Sequence, residues 1–180
     1  MSAFDHIDVP TELDVLVAFT DLTLFGRFAS SIPGPELFAT LSDYYELVGD
    51  IAAESGGQVI KFIGDTALIA HPEEQVSQGV QGLLEVQARG DAFWQQKGAP
   101  CRHYIRLHFG TVTCGPIGTR EEKKFDLFGA TVNTAATVQS HGFAMTTQVF
   151  RKLDPETRKL FKKHTPPITY IAAAERHRDN

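Results

Sequence analysis

An α+β fold is predicted by three features of this 180-residue chain. Apolar runs rich in β-formers occur at 13–21, 58–63, 66–71 and 103–114. Between them, 37–52 and 73–97 carry apolar residues at helical spacing. The resulting order is strand, helix, strand, strand, helix, strand, which is the ferredoxin-like βαββαβ arrangement. Everything after it forms a C-terminal extension.

LDVLVAFTD (13–21) reads as a buried strand that ends at an aspartate. SIPGPE (31–36) is a turn and helix start, and Leu37, Leu41, Tyr44, Tyr45, Val48, Ile51 and Ala52 mark one helix face until Gly56-Gly57 stops it. QVIKFI and TALIAH are short strands joined at Gly64-Asp65, a hairpin signal. The second helix buries Val76, Val80, Leu83, Leu84 and Phe93, and HYIRLHFGTVTC (103–114) alternates around Ile105, Leu107 and Phe109. GPIGTREEKK (115–124) reads as a glycine-punctuated loop. A short strand, a turn and a helix follow in FDLFGATVNTAATVQSHG, with closing strands near Val149 and at Ile168–Ala172.

Composition excludes several classes. A net charge of −5 argues against a general nucleic-acid binder, and the Lys and Arg residues crowded into 151–163 read as solvated surface. Cys101 and Cys114 fit no metal-ligand spacing and no disulfide framework, which points to a reducing cytosol. MSAFDHIDVPTELD lacks the apolar centre of a signal peptide, and no run approaches the roughly 18 residues of a membrane span. A cytoplasmic protein is expected, with one domain over 1–180 and nothing appended.

Two charges stand out in KFIGDTALIAH (61–71), where Lys61 and Asp65 interrupt an apolar stretch. Taken singly, Asp65 is a turn residue and Asp21 a helix cap for 22–30. In a βαββαβ sheet, however, the first strand lies at the centre beside the third, so both carboxylates reach one sheet edge. Like charges at one spot repel unless divalent cations bridge them. Oxygen ligation by few protein groups suits Mg²⁺ or Mn²⁺ shared with substrate phosphates.

Four segments in order over about 13–150 resemble the class III nucleotidyl cyclases, the catalytic domains of adenylyl and guanylyl cyclases. They are FTD (19–21), KFIGD (61–65), HFGTVTCGPIG (108–118) and FDLFGATVNTA (125–135). The resemblance implies that Asp21 and Asp65 hold two divalent metals, Mn²⁺ or Mg²⁺, with the carbonyl of Leu22. It implies that Phe25 and Gly26 open a helix whose amides face the triphosphate. Lys61 and Asp126 would face the nucleobase and Asn133 the ribose, in a head-to-tail homodimer whose sites combine the two sets.

The chain also departs from that pattern. Thr137 stands where an arginine usually stabilises the reacting phosphate, a loss worth on the order of 10²–10³ in rate. Ile168 replaces a triphosphate-binding lysine, Leu24 a glycine before Phe25, and Thr66 the usual glycine after Asp65. Arg27 and Arg120 are the candidate substitute cations. Asp126 and Lys61 suit the amine and ring nitrogen of adenine or cytosine, or the N–H and carbonyl of uracil. Phe62, Phe125 and Phe128 flank the pair. Lacking the usual arginine and any regulatory module, the chain resembles the stand-alone bacterial pyrimidine cyclases of antiphage systems, whose cyclic UMP or CMP triggers an effector. The alternatives are an adenylate cyclase making cyclic AMP and a catalytically degenerate nucleotide-binding dimer.

Overall fold

In a computed structural model that describes residues 4–165 and 167–175, the predicted core is present in the predicted order. β1 (Thr11–Leu22) is followed by the short α1 (Phe25–Ala29) and the long α2 (Gly34–Glu54). β2 (Gln58–Ile63) and β3 (Thr66–Pro72) form the hairpin, then come a 3₁₀ turn and α3 (Val76–Gln96). β4 (His103–Gly118), β5 (Lys123–Phe128) and α4 (Ala130–Thr137) follow. β6 (Phe143–Thr146), α5 (Thr147–Lys152), α6 (Pro155–Arg158), β7 (Phe161–His164) and β8 (Thr169–Ala172) make the extension.

The sheet runs β2-β3-β1-β4-β6-β8-β7, with β5 paired to β4 off that path. Its first four members are the antiparallel ferredoxin-like sheet, and β6 extends it by a parallel pairing with β4. Alternation along β1 divides the molecule into two layers. Leu16 and Ala18 join the cluster built on α2 and α3, whereas Val15 and Val17 join Leu127 of β5 and Ala135 of α4. Asp21 continues the odd-numbered series and so emerges on the α4 side.

Two expectations are corrected. Residues 115–124 are not a loop: β4 runs on to Gly118 and pairs with β5, leaving only a turn between Gly118 and Lys123. Gly115 and Gly118, at φ 155° and 157°, let the β4 backbone pass close to Pro10 and Glu122 respectively, which a side chain there would obstruct. Val149 lies in α5 and not in a strand; it is wholly buried, and Val149 and Leu153 share a face at i and i+4. A short apolar run does not distinguish the two states by itself. The strand predicted at Ile168–Ala172 is β8, which begins one residue later, and its partner β7 was not foreseen.

His71 of β3 illustrates how tightly the helical layer sits. It is fully buried, its Nε2 lies 3.0 Å from the Ser55 hydroxyl, and its Nδ1 has no partner among the described residues. A Cβ at Gly57 would come within 2.4 Å of its ring and one at Gly79 within 2.6 Å. Burial lowers its pKa to about 4. The unfolded chain therefore takes up this proton more readily, so stability is full above about pH 6.5 and falls as pH drops towards 4. The loss should reach on the order of 3 kcal/mol. In thermal melts from pH 7 to 4.5, His71→Gln should show a shallower fall in Tm than the parent. Parallel profiles would refute the assignment.

Candidate active site

Asp21 and Asp65 meet at one backbone amide. The N–H of Leu22 donates to Asp21 Oδ1 at 3.0 Å and to Asp65 Oδ2 at 3.2 Å. Asp21 arrives there as the penultimate residue of β1, and Asp65 from the two-residue turn that closes the β2–β3 ladder, whose last pair is Ile63↔Thr66. Gly64 makes that turn possible at φ 62°. Tyr45 of α2 braces it from the other layer, its hydroxyl donating to the Gly64 carbonyl and its ring stacked on Phe62 at 3.7 Å and 4°. The residue after the turn also contributes, because the Thr66 hydroxyl donates to Asp21 Oδ1 at 3.1 Å.

Burial, and then the proximity of Asp21, push the Asp65 carboxyl above its ordinary value. Such a pair is suited to cations. No group of three or more His, Cys, Asp or Glu side chains that could hold a metal occurs among the described residues. Asp21 and Asp65 therefore offer a sparse oxygen set that could hold Mg²⁺ or Mn²⁺ together with substrate oxygens.

Lys61 and Asp126 form a second pair. Lys61 Nζ donates to Asp126 Oδ2 at 2.6 Å, while Asp126 Oδ1 accepts from the Leu127 amide at 2.9 Å. Of the three phenylalanines expected around this pair, Phe128 is exposed with its ring 5.9 Å from Lys61 Nζ. Phe62 is held by Tyr45, and Phe125 stacks on Phe4 at 5.4 Å, so both are packing residues.

α4 carries Asn133, exposed, and one turn later Thr137. The Thr137 hydroxyl donates back to the carbonyls of Asn133 and Thr134, at 3.0 and 3.2 Å. Phe25 and Gly26 form the first turn of α1, with the Phe25 ring edge-on to Trp94 at 5.9 Å. Leu24 precedes them at φ 58°, the only described non-glycine residue at positive φ, and caps α1 with its backbone alone. Asp21 is thus not the helix cap.

The two candidate substitute cations are exposed and make no hydrogen bond or ion pair through their guanidinium groups within the described chain. Arg27 is on α1, whereas Arg120 lies in the turn beyond Gly118. Tyr104 is paired with Asp21, so 14 residues of β4 separate that level from Gly118, roughly 45 Å along the strand. Within one chain Arg120 does not join Asp21. Ile168, 55% exposed, lies in the turn before β8.

The motifs gave no place in the site to Arg106, to Tyr45, named only as a helix-face residue, or to Thr66, named only as a departure from the usual glycine. Arg106 Nη2 lies 3.5 Å from Asp21 Oδ2 and Nη1 donates to the Ala136 carbonyl at 2.7 Å. Alternation along β4 was the available signal, since apolar Ile105 and Leu107 face the helical layer and place Arg106 on the Asp21 side. A cleft of about 440 Å³ opens here, lined by Asp21, Tyr104, Arg106, Thr137 and residues 138–141.

Fold and site together define a nucleotidyl cyclase domain. Residues 7–165 match the adenylate and guanylate cyclase catalytic domain, and the chain belongs to that family. It is 27% identical over 135 residues to Adenylate cyclase 1 of Rhizobium meliloti (strain 1021), a match covering 70% of this chain and 20% of that protein. The chain thus spans about a fifth of the length of that curated relative. The adenylyl cyclase CyaB of P. aeruginosa superposes with a TM-score of 0.79 at 15% identity, over 96% of this chain and 99% of that one. The guanylate cyclase domain of RhGC from Catenaria anguillulae, solved with GTP, gives 0.77 at 22% identity, over 92% and 100%. At these identities the likeness is one of fold, and the fold is that of the class III cyclases. No helix among the described residues is long and apolar enough to cross a membrane.

The raised Asp65 value means that the folded chain holds that proton more readily than the unfolded one. Ionising Asp65 then costs stability, a cost absent below about pH 3.9 and growing as pH rises past it. At pH 7 without metal, Asp65→Asn should melt above the parent. Mn²⁺ should raise the Tm of the parent and leave the variant nearly unmoved. A variant that melts lower, or responds equally to Mn²⁺, would contradict this account.

Proposed function

We propose that this chain is a nucleotidyl cyclase, converting a nucleoside triphosphate to its 3′,5′-cyclic monophosphate and pyrophosphate. The observation that carries the reading is the Leu22 amide shared by Asp21 and Asp65, on the same side of the sheet as the Lys61–Asp126 pair. The reaction forms one bond from O3′ to the α-phosphorus and breaks the bridge to the β-phosphate. The hydroxyl proton passes to water and the electron pair leaves with pyrophosphate. Two divalent ions, Mn²⁺ or Mg²⁺, held by Asp21, Asp65 and the Leu22 carbonyl, would supply activation of the attacking oxygen and neutralisation of the leaving one.

The protein's own part is positioning. Leu22 and Thr66 fix the carboxylates, the first-turn amides of Phe25 and Gly26 receive phosphate oxygens, and Asn133 holds the ribose. Lys61 and Asp126 exchange their mutual bond for bonds to the base. In this reading the site is completed in a head-to-tail homodimer, one chain giving Asp21 and Asp65 and the other Lys61, Asp126 and Asn133.

For the base, the donor–acceptor chemistry of Lys61 and Asp126 accommodates adenine, cytosine and uracil alike and does not choose among them. Thr137, one of the features by which the chain resembles the bacterial pyrimidine cyclases, supports UTP or CTP as substrate. A role in antiviral defence, acting through a cyclic-nucleotide effector in the cytoplasm, follows from that resemblance alone. A second reading, ATP as substrate, draws on the relative named Adenylate cyclase 1.

One experiment addresses chemistry, base and assembly together. The protein is incubated with each of the four triphosphates and Mn²⁺, and products are identified by mass spectrometry. Cyclic UMP or CMP is expected, and none from Asp65→Asn; Asn133→Ala should be slowed by roughly 10² or more. Mixing those two variants should restore up to about half the parent rate per mixed dimer, because one of its two sites carries neither lesion. Cyclic AMP as sole product selects the second reading. No cyclic product from the parent refutes the cyclase reading, and no recovery despite subunit exchange refutes the shared site.

A further inference from the structure

Arg106 is a cation placed where the sequence motifs supply none. It stands on β4 beside the Asp21 level, three-quarters buried at 24% side-chain exposure. Holding a charge there is expensive unless the surroundings repay it. The repayment is incomplete. Nη1 is satisfied by the Ala136 carbonyl at 2.7 Å, but Nε is buried with no hydrogen-bond partner among the described residues. The contact to Asp21 is 3.5 Å, well beyond the roughly 2.7–2.9 Å of a charge-assisted hydrogen bond. One edge of the guanidinium is therefore anchored and the other faces the cleft with its donor only loosely engaged.

That cleft is also lined by Thr137, whose hydroxyl is turned back onto α4 and brings no charge. Arg27 and Arg120 do not share it. We propose that Arg106 is the cation that contacts the reacting phosphate in place of an arginine at position 137, gaining strength as charge builds on the α-phosphate oxygens and the leaving pyrophosphate. This rests on the cyclase reading above. A fork already oriented by the Ala136 carbonyl needs little reorganisation as the barrier is crossed, which is where a fixed donor contributes most. The cation then comes from the chain that supplies Asp21 and Asp65, not from the chain that supplies Asn133.

The test compares the parent with Arg106→Ala and Arg106→Lys, using the triphosphate the parent turns over, with Mn²⁺ varied. Its 3′-deoxy analogue serves as a non-reacting ligand in calorimetry. Arg106→Ala is expected to lose roughly 10² or more in kcat, with KM and analogue affinity changed by less than about threefold and the Mn²⁺ half-saturation unmoved. Arg106→Lys, which keeps the charge and loses the fork, should recover part of kcat and covers the case in which the alanine variant does not fold. Three results would overturn the proposal. One is a kcat within about threefold of the parent for Arg106→Ala, or for Arg106→Lys if the alanine variant is unfolded. Another is a loss confined to analogue affinity. The last is a defect that saturating Mn²⁺ restores, which would make Arg106 a positioning residue for Asp21. A parent that cyclises nothing refutes the cyclase reading instead, so the two failures are distinct.

Discussion

The structure turns on a single backbone N–H shared by two carboxylates. Leu22 donates to Asp21 within its own strand and to Asp65 across from the β2–β3 turn. Asp21 also has the Thr66 hydroxyl and, at 3.5 Å, the Arg106 guanidinium, but burial and the nearby Asp21 leave the Asp65 charge poorly compensated, so the arrangement is electrostatically unfinished. Everything nearby serves to hold it in that state. The antiparallel β1–β3 register sets the level at which the turn meets β1, and Tyr45 fixes the turn from the opposite layer. Thr66 ties Asp21 down from the far side of the same turn. Two carboxylates held together against their own repulsion cost stability when both are ionised.

The departures from the family pattern have separate physical consequences. Thr66, in place of a glycine, adds a hydrogen bond to a carboxylate and so reinforces the site. Leu24, in place of a glycine, sits at φ 58° with its side chain 54% exposed, a conformation costing an L-residue about 1 kcal/mol or more. The chain accepts that strain at the residue that caps α1. Thr137 removes a charge from α4, and the structure puts another on the strand beneath it, at Arg106. The Lys61–Asp126 pair closes on itself at 2.6 Å, each charge offset by the other.

Much of the fold was legible because its signals are local and periodic. The β1 run, the two long helices and the Gly64-Asp65 turn each declare themselves within a dozen or so residues, and their order leaves few topologies open. The extension was read less well. FAMTTQVFRK offers apolar residues to a strand and to a helix alike, and only packing under the sheet decides that Val149 belongs to α5. The β4–β5 hairpin was taken for a loop because glycines and charges mark turns as well as exposed strands. Asp21, Asp65, Lys61, Asp126 and Asn133 could be named from sequence because each lies in a motif with fixed neighbours, and the structure joins Asp21 to Asp65 and Lys61 to Asp126. Tyr45 acts across elements far apart in sequence, so no local pattern announces it, whereas Arg106 was announced only by the β4 alternation that sets its face. Arg120 was proposed on the strength of an adjacent glycine loop, and the length of β4 separates it from the Asp21 of its own chain.

The central claim is that Asp21 and Asp65 are joint ligands of divalent metal. Crystals grown with Mn²⁺ and a 3′-deoxynucleoside triphosphate, with diffraction recorded at the manganese absorption edge, test it directly. The account predicts two anomalous peaks, each within about 2.0–2.3 Å of oxygens of Asp21 and Asp65 and of the triphosphate. A bound nucleotide with no manganese between these carboxylates, or manganese held by other residues, would contradict it.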